Sequence, residues 1–360
     1  MKFNEQYTIE NYILKFVKDK LNYEYIKPEE FAKLRDLESE YIITPLLERA
    51  IGVLNPSASE SEIKNVIREI RKIDSNESFL KALRDGINLK NSVTGKKHDY
   101  KLLDFDNLEN NHFVVTNQFY FEGDTENIRP DIMIFVNGLP LVDIEAKSPT
   151  ASEGVSFENG IDQIKRYEKV ARKLFIPNCF NIASDGLKTV YGATGAPKQY
   201  FLQWRDEELE KELGGELEMT LYSLLSKSSF LDIVQNFILF EKEKEKLVKK
   251  MARYQQMRAT NKIVERVLSK EKRQGLIWHT QGSGKTLTMY FTAWKLRFNK
   301  SLANPKVFIL VDRVDLDDQI FETFTNAGGK NIIRVTSRKD LEEKIQSPEK
   351  GIFITTIQKF

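Results

Sequence analysis

Asp131, Glu145 and Lys147 are the residues here whose types and spacing suit phosphate chemistry. Pro130-Asp131 opens the short apolar run Ile132 to Val136, Asn137-Gly138 is a turn signal, and Leu141 to Lys147 alternates in character. Read as two antiparallel strands, the second puts Leu141, Asp143, Glu145 and Lys147 on one face, and Val142, Ile144 and Ala146 on the other. Carboxylates and an ammonium on a face of a mostly apolar hairpin are costly unless they pair or bind a cation. Asp131 can then close on Glu145 and Lys147 across the hairpin. Two hard oxygen ligands, Asp131 and Glu145, suit Mg²⁺, which keeps several waters and takes further ligands from a phosphate. Lys147 would stabilise charge developing on that phosphate while the cation activates a water for attack. The competing reading is a strand edge with a solvated Glu–Lys pair.

A second stretch, Gly275 to Met289, has the form of a short apolar strand, a glycine-rich loop and a helix start. Gly282 and Gly284 would let backbone N–H groups converge on an anion. Lys285 would reach the β- and γ-phosphates of ATP, Thr286 would ligate Mg²⁺, and the helix N-terminus would add its dipole. Thr280 and Ser283 complete the expected nucleotide cradle. His279 stands where the usual motif has Gly or Ala, but the Gly282-x-Gly284-Lys285-Thr286 core is intact.

Several elements must hold these residues in place. Residues 1 to about 85 read as helical, with Ile9, Tyr12, Ile13, Phe16 and Val17 at helical spacing. Phe113 to Phe121 is a strand candidate leading into the hairpin. Gly160 to Phe175 is a helix with Ile161, Ile164 and Tyr167 along one side, and Gln163 and Tyr167, four apart, share a face. Asn181 to Gly186 is a strand ending in a turn, and Lys188 to Tyr191 and Tyr200 to Trp204 are further strand pieces. Asp206 to Glu218 reads as a charged linker. Leu221 to Met251 reads as a helix bridging two domains, with the run Glu241-Lys-Glu-Lys-Glu-Lys as its solvated face. Bulk charge does not announce nucleic acid, because 55 basic and 53 acidic residues leave only +2, so any DNA surface must come from local clustering. The single Cys179 excludes a disulfide within the chain. No apolar stretch approaches membrane-spanning length, and a cytoplasmic protein without membrane partners is expected.

Pro130-Asp131 followed by Glu145-x-Lys147, in an α–β–β–β–α–β order with Gln163-x3-Tyr167 on the next helix, resembles the PD-(D/E)XK nuclease superfamily and its RecB-like branch. The resemblance implies Asp131, Glu145, Lys147, Gln163 and Tyr167 as the active site. Arg253-Tyr-Gln-Gln-Met resembles the Q motif of superfamily 2 helicases, which implies that Gln256 reads the adenine edge, with Gln255 as the fallback. Val307 to Gln319 and Ile354 to Phe360 resemble that superfamily's DNA-contacting motifs. A nuclease followed by such a motor, with Val136-Asn-Gly-Leu-Pro-Leu-Val142 beside Glu145, resembles the restriction (R) subunit of type I restriction–modification enzymes. The implied fold is α/β: a PD-(D/E)XK domain with N-terminal helices over 1–205, a charged linker and bridging helix over 206–250, and an incomplete RecA-like parallel-sheet helicase domain over 251–360.

The resemblance implies an endonuclease that uses Mg²⁺ and ATP on double-stranded DNA, in a complex with methyltransferase (modification) and specificity subunits. It also implies DNA contacts to the backbone, with binding that weakens steeply as salt rises. After Lys285 there is no Asp-Glu-x-His box and no second RecA-like domain, so the chain is expected to be the N-terminal fragment of a longer subunit. Two other readings come from different classes: a solitary RecB-like DNA-repair nuclease, and a non-cleaving docking module switched by ATP.

Overall fold

The expected hairpin forms the middle of the largest sheet in the computed structural model, which describes residues 6–91, 95–147, 156–269, 271, 274–329 and 331–360. The chain divides into two units, Met1–Gln235 and Asn236–Phe360.

In the first unit the strands are β1 (Glu24–Tyr25), a small separate hairpin of β2 (Ile87–Lys90) and β3 (Lys97–Tyr100), then β4 (Phe113–Asn117), β5 (Ile132–Val136), β6 (Leu139–Ala146), β7 (Phe180–Ser184), β8 (Thr189–Ala193) and β9 (Leu202–Gln203). Seven of them form one mixed sheet in the order β1-β4-β5-β6-β7-β8-β9. β1 is parallel to β4 and β6 to β7, and the other neighbours are antiparallel. Asn137 and Gly138, with φ of 54° and 79°, close the β5–β6 turn, whose left-handed dihedrals match the right-handed twist of the strands. Every residue of β5 and β6 is buried, as befits central strands covered on both faces.

Helices α1 (Gln6–Asp19), α2 (Pro28–Ala32), α3 (Thr44–Leu54), α4 (Glu60–Ile70) and α5 (Asn76–Asp85) make up most of the first 85 residues, as the periodicity indicated, with β1 between α1 and α2. The stripe on α1 is rotated from the one expected. Tyr12 is 46% exposed, while Ile13, Leu14, Phe16 and Val17 are buried together with the charged Glu10. Helices α6 (Phe157–Val170) and α7 (Arg172–Phe175) connect β6 to β7. Gly160 lets α6 settle onto those strands, because a Cβ there would lie 3.2 Å from Ala183 Cβ and 3.4 Å from Glu145 Cβ. Phe31, Phe119, Met133, Phe135, Tyr167 and Leu174 meet in the core cluster beside that helix.

The segment 206–250 is not a linker followed by one bridging helix. Asp206 accepts a hydrogen bond from the Leu209 amide and caps α8 (Glu207–Leu213), whose first turn is acidic and therefore suits the helix dipole. Next come α9 (Glu216–Leu225) and α10 (Lys227–Asn236), which the Tyr23 hydroxyl and Arg84 tie to the first unit by donating to the carbonyls of Leu225 and Val234. The charged run then falls on an antiparallel hairpin, β10 (Ile238–Glu243) and β11 (Lys246–Met251). Its alternating signs have period two, the period of a strand: Glu241 and Glu243 both pair with Lys250.

The second unit continues with α11 (Tyr254–Leu268), α12 (Lys285–Phe298), β12 (Val307–Val311), α13 (Val314–Asn326), β13 (Ile332–Arg334), α14 (Arg338–Gln346) and β14 (Ile352–Thr356). Strands β12, β14 and β13 form a parallel sheet in that order. The expected strand over Gly275–Trp278 does not form. No other described strand pairs with it, and Leu276 and Trp278 stand 86% and 88% exposed. Among the described residues no helix is long and apolar enough to cross a membrane.

Candidate nuclease and nucleotide sites

Antiparallel pairing brings the start of β5 against the end of β6, so Asp131 meets Glu145 and Lys147 as the spacing required. Lys147 Nζ lies 3.2 Å from Asp131 Oδ2 and 3.0 Å from Glu145 Oε2. The backbone locks both carboxylates: Asp131 Oδ2 accepts the Ala146 amide at 3.0 Å, and Glu145 Oε1 accepts the Asp131 amide at 3.3 Å. Glu145 is fully buried, and that burial, with Asp143 and Asp131 nearby, pushes its carboxyl well above the usual range. Burial pulls Lys147 down, but the Glu145 and Asp131 carboxylates outweigh it and raise the ammonium.

A third carboxylate, absent from the sequence-based site, comes from α1. Glu10 Oε1 accepts Asn117 Nδ2 at 2.7 Å, and Glu10 Oε2 accepts Gln118 Nε2 at 3.0 Å; the same Gln118 nitrogen reaches Asp131 Oδ1 at 3.3 Å. Burial raises the Glu10 carboxyl, and the Asp131 charge adds to it. Three carboxylates around the one Lys147 ammonium would leave two negative charges uncompensated when ionised, and hard oxygen donors with that deficit fit a divalent cation. Among the described residues no group of three His, Cys, Asp or Glu side chains is placed to hold a metal ion by itself. A cation held here by Asp131 and Glu145 would need water and phosphate oxygens to complete its shell, which is the habit of Mg²⁺.

Gln163 and Tyr167 do not join this cluster. Gln163 Nε2 donates to the Tyr167 hydroxyl at 2.7 Å, and that hydroxyl donates to the Arg129 carbonyl at 3.3 Å. They brace the segment leading into Asp131 from α6. Burial and the Glu145 charge raise the Tyr167 phenol, keeping it a hydrogen-bond donor.

Asp143 lies opposite Met133 and level with Asn181 in the sheet register, and it is fully buried with neither carboxyl oxygen hydrogen-bonded. Burial, then the Asp131 and Glu168 charges, push it well above the usual carboxylate range. Asn181 gives its Nδ2 to Glu168 at 3.2 Å, which leaves its buried Oδ1 without a donor. Asp143→Asn would remove the buried acid and offer Asn181 an amide N–H. We expect it to stabilise the fold by about 1–3 kcal/mol at neutral pH. The sign with pH follows from a raised folded value. The parent binds its proton more tightly when folded, so it loses stability as pH rises from the unfolded value of about 3.9 towards the folded one. The variant lacks that loss, so the melting-temperature gap should be small at low pH and widen with pH. A gap that is flat or reversed counts against a buried acid here.

In the second unit α12 begins directly after the glycine loop, with Gly284 as its N-cap and no side chain bonded there, so its first amides are open to an anion. Lys285 is exposed at the first helical position with Thr286 beside it. Ser283 folds the loop by donating its amide and hydroxyl to the Thr280 carbonyl at 3.4 and 2.7 Å. Gly284 has φ 82°, and a Cβ there would sit 2.2 Å from Gln256 Nε2. That contact bears on Gln256, which is buried. Its Oε1 accepts the Arg253 amide at 2.8 Å, and its Nε2 donates to the Gly284 carbonyl at 3.2 Å. These two bonds tie α11 to the loop and use one N–H and one oxygen lone pair of the Gln256 amide. Gln255, the fallback, has a buried Oε1 without a partner.

Residues 2–200 match the family described as type I restriction enzyme R protein N terminus (HSDR_N), and residues 255–360 match the SWI2/SNF2 ATPase family. The type I restriction enzyme HindI endonuclease subunit of Haemophilus influenzae is 34% identical over 348 residues, covering 89% of this chain and 33% of that protein. A putative type I restriction enzyme MjaIXP endonuclease subunit of Methanocaldococcus jannaschii is 29% identical over 400 residues, covering all of this chain and 38% of that protein. The chain thus spans about a third of the length of these curated relatives.

Proposed function

The chain belongs to the family of type I restriction enzyme R proteins, matched through their N-terminal region, and from that premise we propose that it cuts double-stranded DNA at a Mg²⁺-dependent PD-(D/E)XK site and binds ATP for translocation at its glycine loop. The observation that carries the reading is the meeting of Asp131, Glu145 and Lys147 at one end of the hairpin. The order α1, β4, β5, β6, α6, β7 supports it, since that is the core order of the nuclease superfamily.

Asp131 and Glu145 would hold Mg²⁺, with Glu10 the third acid beside them. The bound cation would polarise the scissile phosphate and offset its charge. Lys147, fixed by both carboxylates and kept protonated by them, would donate to a phosphate oxygen as negative charge builds there. Tyr167 and Gln163 hold the Arg129 backbone, and through it the entry of Asp131. In the second unit Gly282, Ser283 and Gly284 would wrap the phosphates, Lys285 would pair with the β/γ oxygens, Thr286 would take Mg²⁺, and Thr280 and Gln256 would shape the loop.

The proposed setting is a cytoplasmic complex with modification and specificity subunits, in which this chain contacts the DNA backbone. Carried within the full-length subunit, assembled with those partners and supplied with ATP and Mg²⁺, the site should linearise unmodified plasmid, and EDTA should stop it. A complex that consumes ATP on DNA yet leaves the plasmid intact overturns the nuclease half.

A further inference from the structure

Gln118 follows the last residue of β4 with φ 48°, a left-handed backbone that a long side chain rarely takes and that the surroundings must hold. Three contacts hold it. Its amide donates to the Asp131 carbonyl at 2.9 Å, and its Nε2 donates to Glu10 Oε2 at 3.0 Å and to Asp131 Oδ1 at 3.3 Å. The neighbouring Asn117 takes the other Glu10 oxygen at 2.7 Å, and the Tyr25 hydroxyl steadies Asn117 Oδ1 at 3.0 Å. One neutral amide therefore bridges two carboxylates from distant parts of the chain. Gln118 also grips Asp131 at two points, backbone and side chain.

The choice of an amide has a physical reason. An apolar side chain would leave Glu10 and Asp131 as unbridged like charges, free to swing apart. A lysine would bridge them but would add a positive charge that competes with a cation. The glutamine N–H groups occupy one lone pair on each oxygen, add no charge and leave the remaining lone pairs for a metal.

We propose that Gln118 is a positioning residue of the cation site, fixing the spacing and direction of the Glu10 and Asp131 carboxylates so that Mg²⁺ meets preset oxygen donors. This rests on the Mg²⁺ reading of the Asp131–Glu145 site. Partners of this kind around metal ligands typically carry about 10–100-fold in affinity.

The test is calorimetric titration of Mg²⁺ and of Mn²⁺ into the full chain, with melting temperatures measured in EDTA. The parent, Gln118→Met, Gln118→Gly and Asp131→Asn are compared. We expect both Gln118 variants to bind roughly 10-fold more weakly or worse. Gln118→Gly should melt near the parent, because relief of the left-handed backbone offsets the two lost side-chain hydrogen bonds. Asp131→Asn should lose the site. If the Gln118 variants bind like the parent while Asp131→Asn does not bind, the positioning role is wrong and the metal site stands. A Gln118→Gly chain melting well below the parent in EDTA makes the residue a general support of the fold and also overturns the proposal. If the parent shows no binding that Asp131→Asn removes, the Mg²⁺ reading itself falls and takes this inference with it.

Discussion

Asp131→Ala should abolish plasmid cleavage in the assembled complex, by on the order of a thousandfold or more, while leaving ATP hydrolysis near the parent rate. The carboxylate has three partners at once: the Ala146 amide, the Lys147 ammonium and the Gln118 amide. Its loss removes a donor from the proposed cation site and frees Lys147 to collapse onto Glu145 alone. Charge stabilisation at a phosphate is worth several kcal/mol, and each 1.4 kcal/mol or so is tenfold in rate, which sets the scale. A variant that cuts at even a tenth of the parent rate would make the hairpin structural and place the nuclease elsewhere. A parent-like melting temperature, alongside retained ATP hydrolysis, separates loss of chemistry from loss of fold.

Lys285→Ala should lose both activities. The lysine begins α12 beside the open amides of the glycine loop and is exposed there. ATP hydrolysis should fall by on the order of a hundredfold or more. Cleavage should fall with it, because translocation is proposed to precede cutting. Mg²⁺ titration at the hairpin should be unaffected, since the two sites lie in different units. ATP hydrolysis at the parent rate would show that the loop is not the nucleotide site.

The hairpin was legible because its signals are local: an Asn-Gly turn, period-two alternation and a carboxylate–x–lysine pair at the strand end. The glycine loop and the helix after it were legible for the same reason. Glu10 was not, since it reaches the site by a contact with a residue 107 positions away. A trace of it existed nonetheless: Glu10 lies three and seven residues before Ile13 and Val17 on the buried stripe of α1, and a charge on an apolar stripe asks for a partner. The charges of Glu241 to Lys246 alternate with period two, which suits the hairpin they form and not the solvated helix face that a dense charge run suggests. The strand over Gly275–Trp278 was expected from its apolar composition, but composition supplies no partner, and a strand without a ladder does not form. The spacing that singled out Gln256 says nothing of its bond to the loop, where its amide meets the Gly284 carbonyl.

The bareness of that stretch has an optical consequence. The chain has three tryptophans, and Trp278, only four residues ahead of Gly282, is 88% in water. Trp294 is stacked on Tyr290 and packed against Phe298, and Trp204 rests against Tyr191, so both indoles are half-buried among rings and far less exposed than Trp278. Red-shifted emission should therefore come chiefly from the indole beside the phosphate loop. The proposed nucleotide loop thus has an intrinsic fluorophore beside it, and ATP binding there should change that emission without any attached dye.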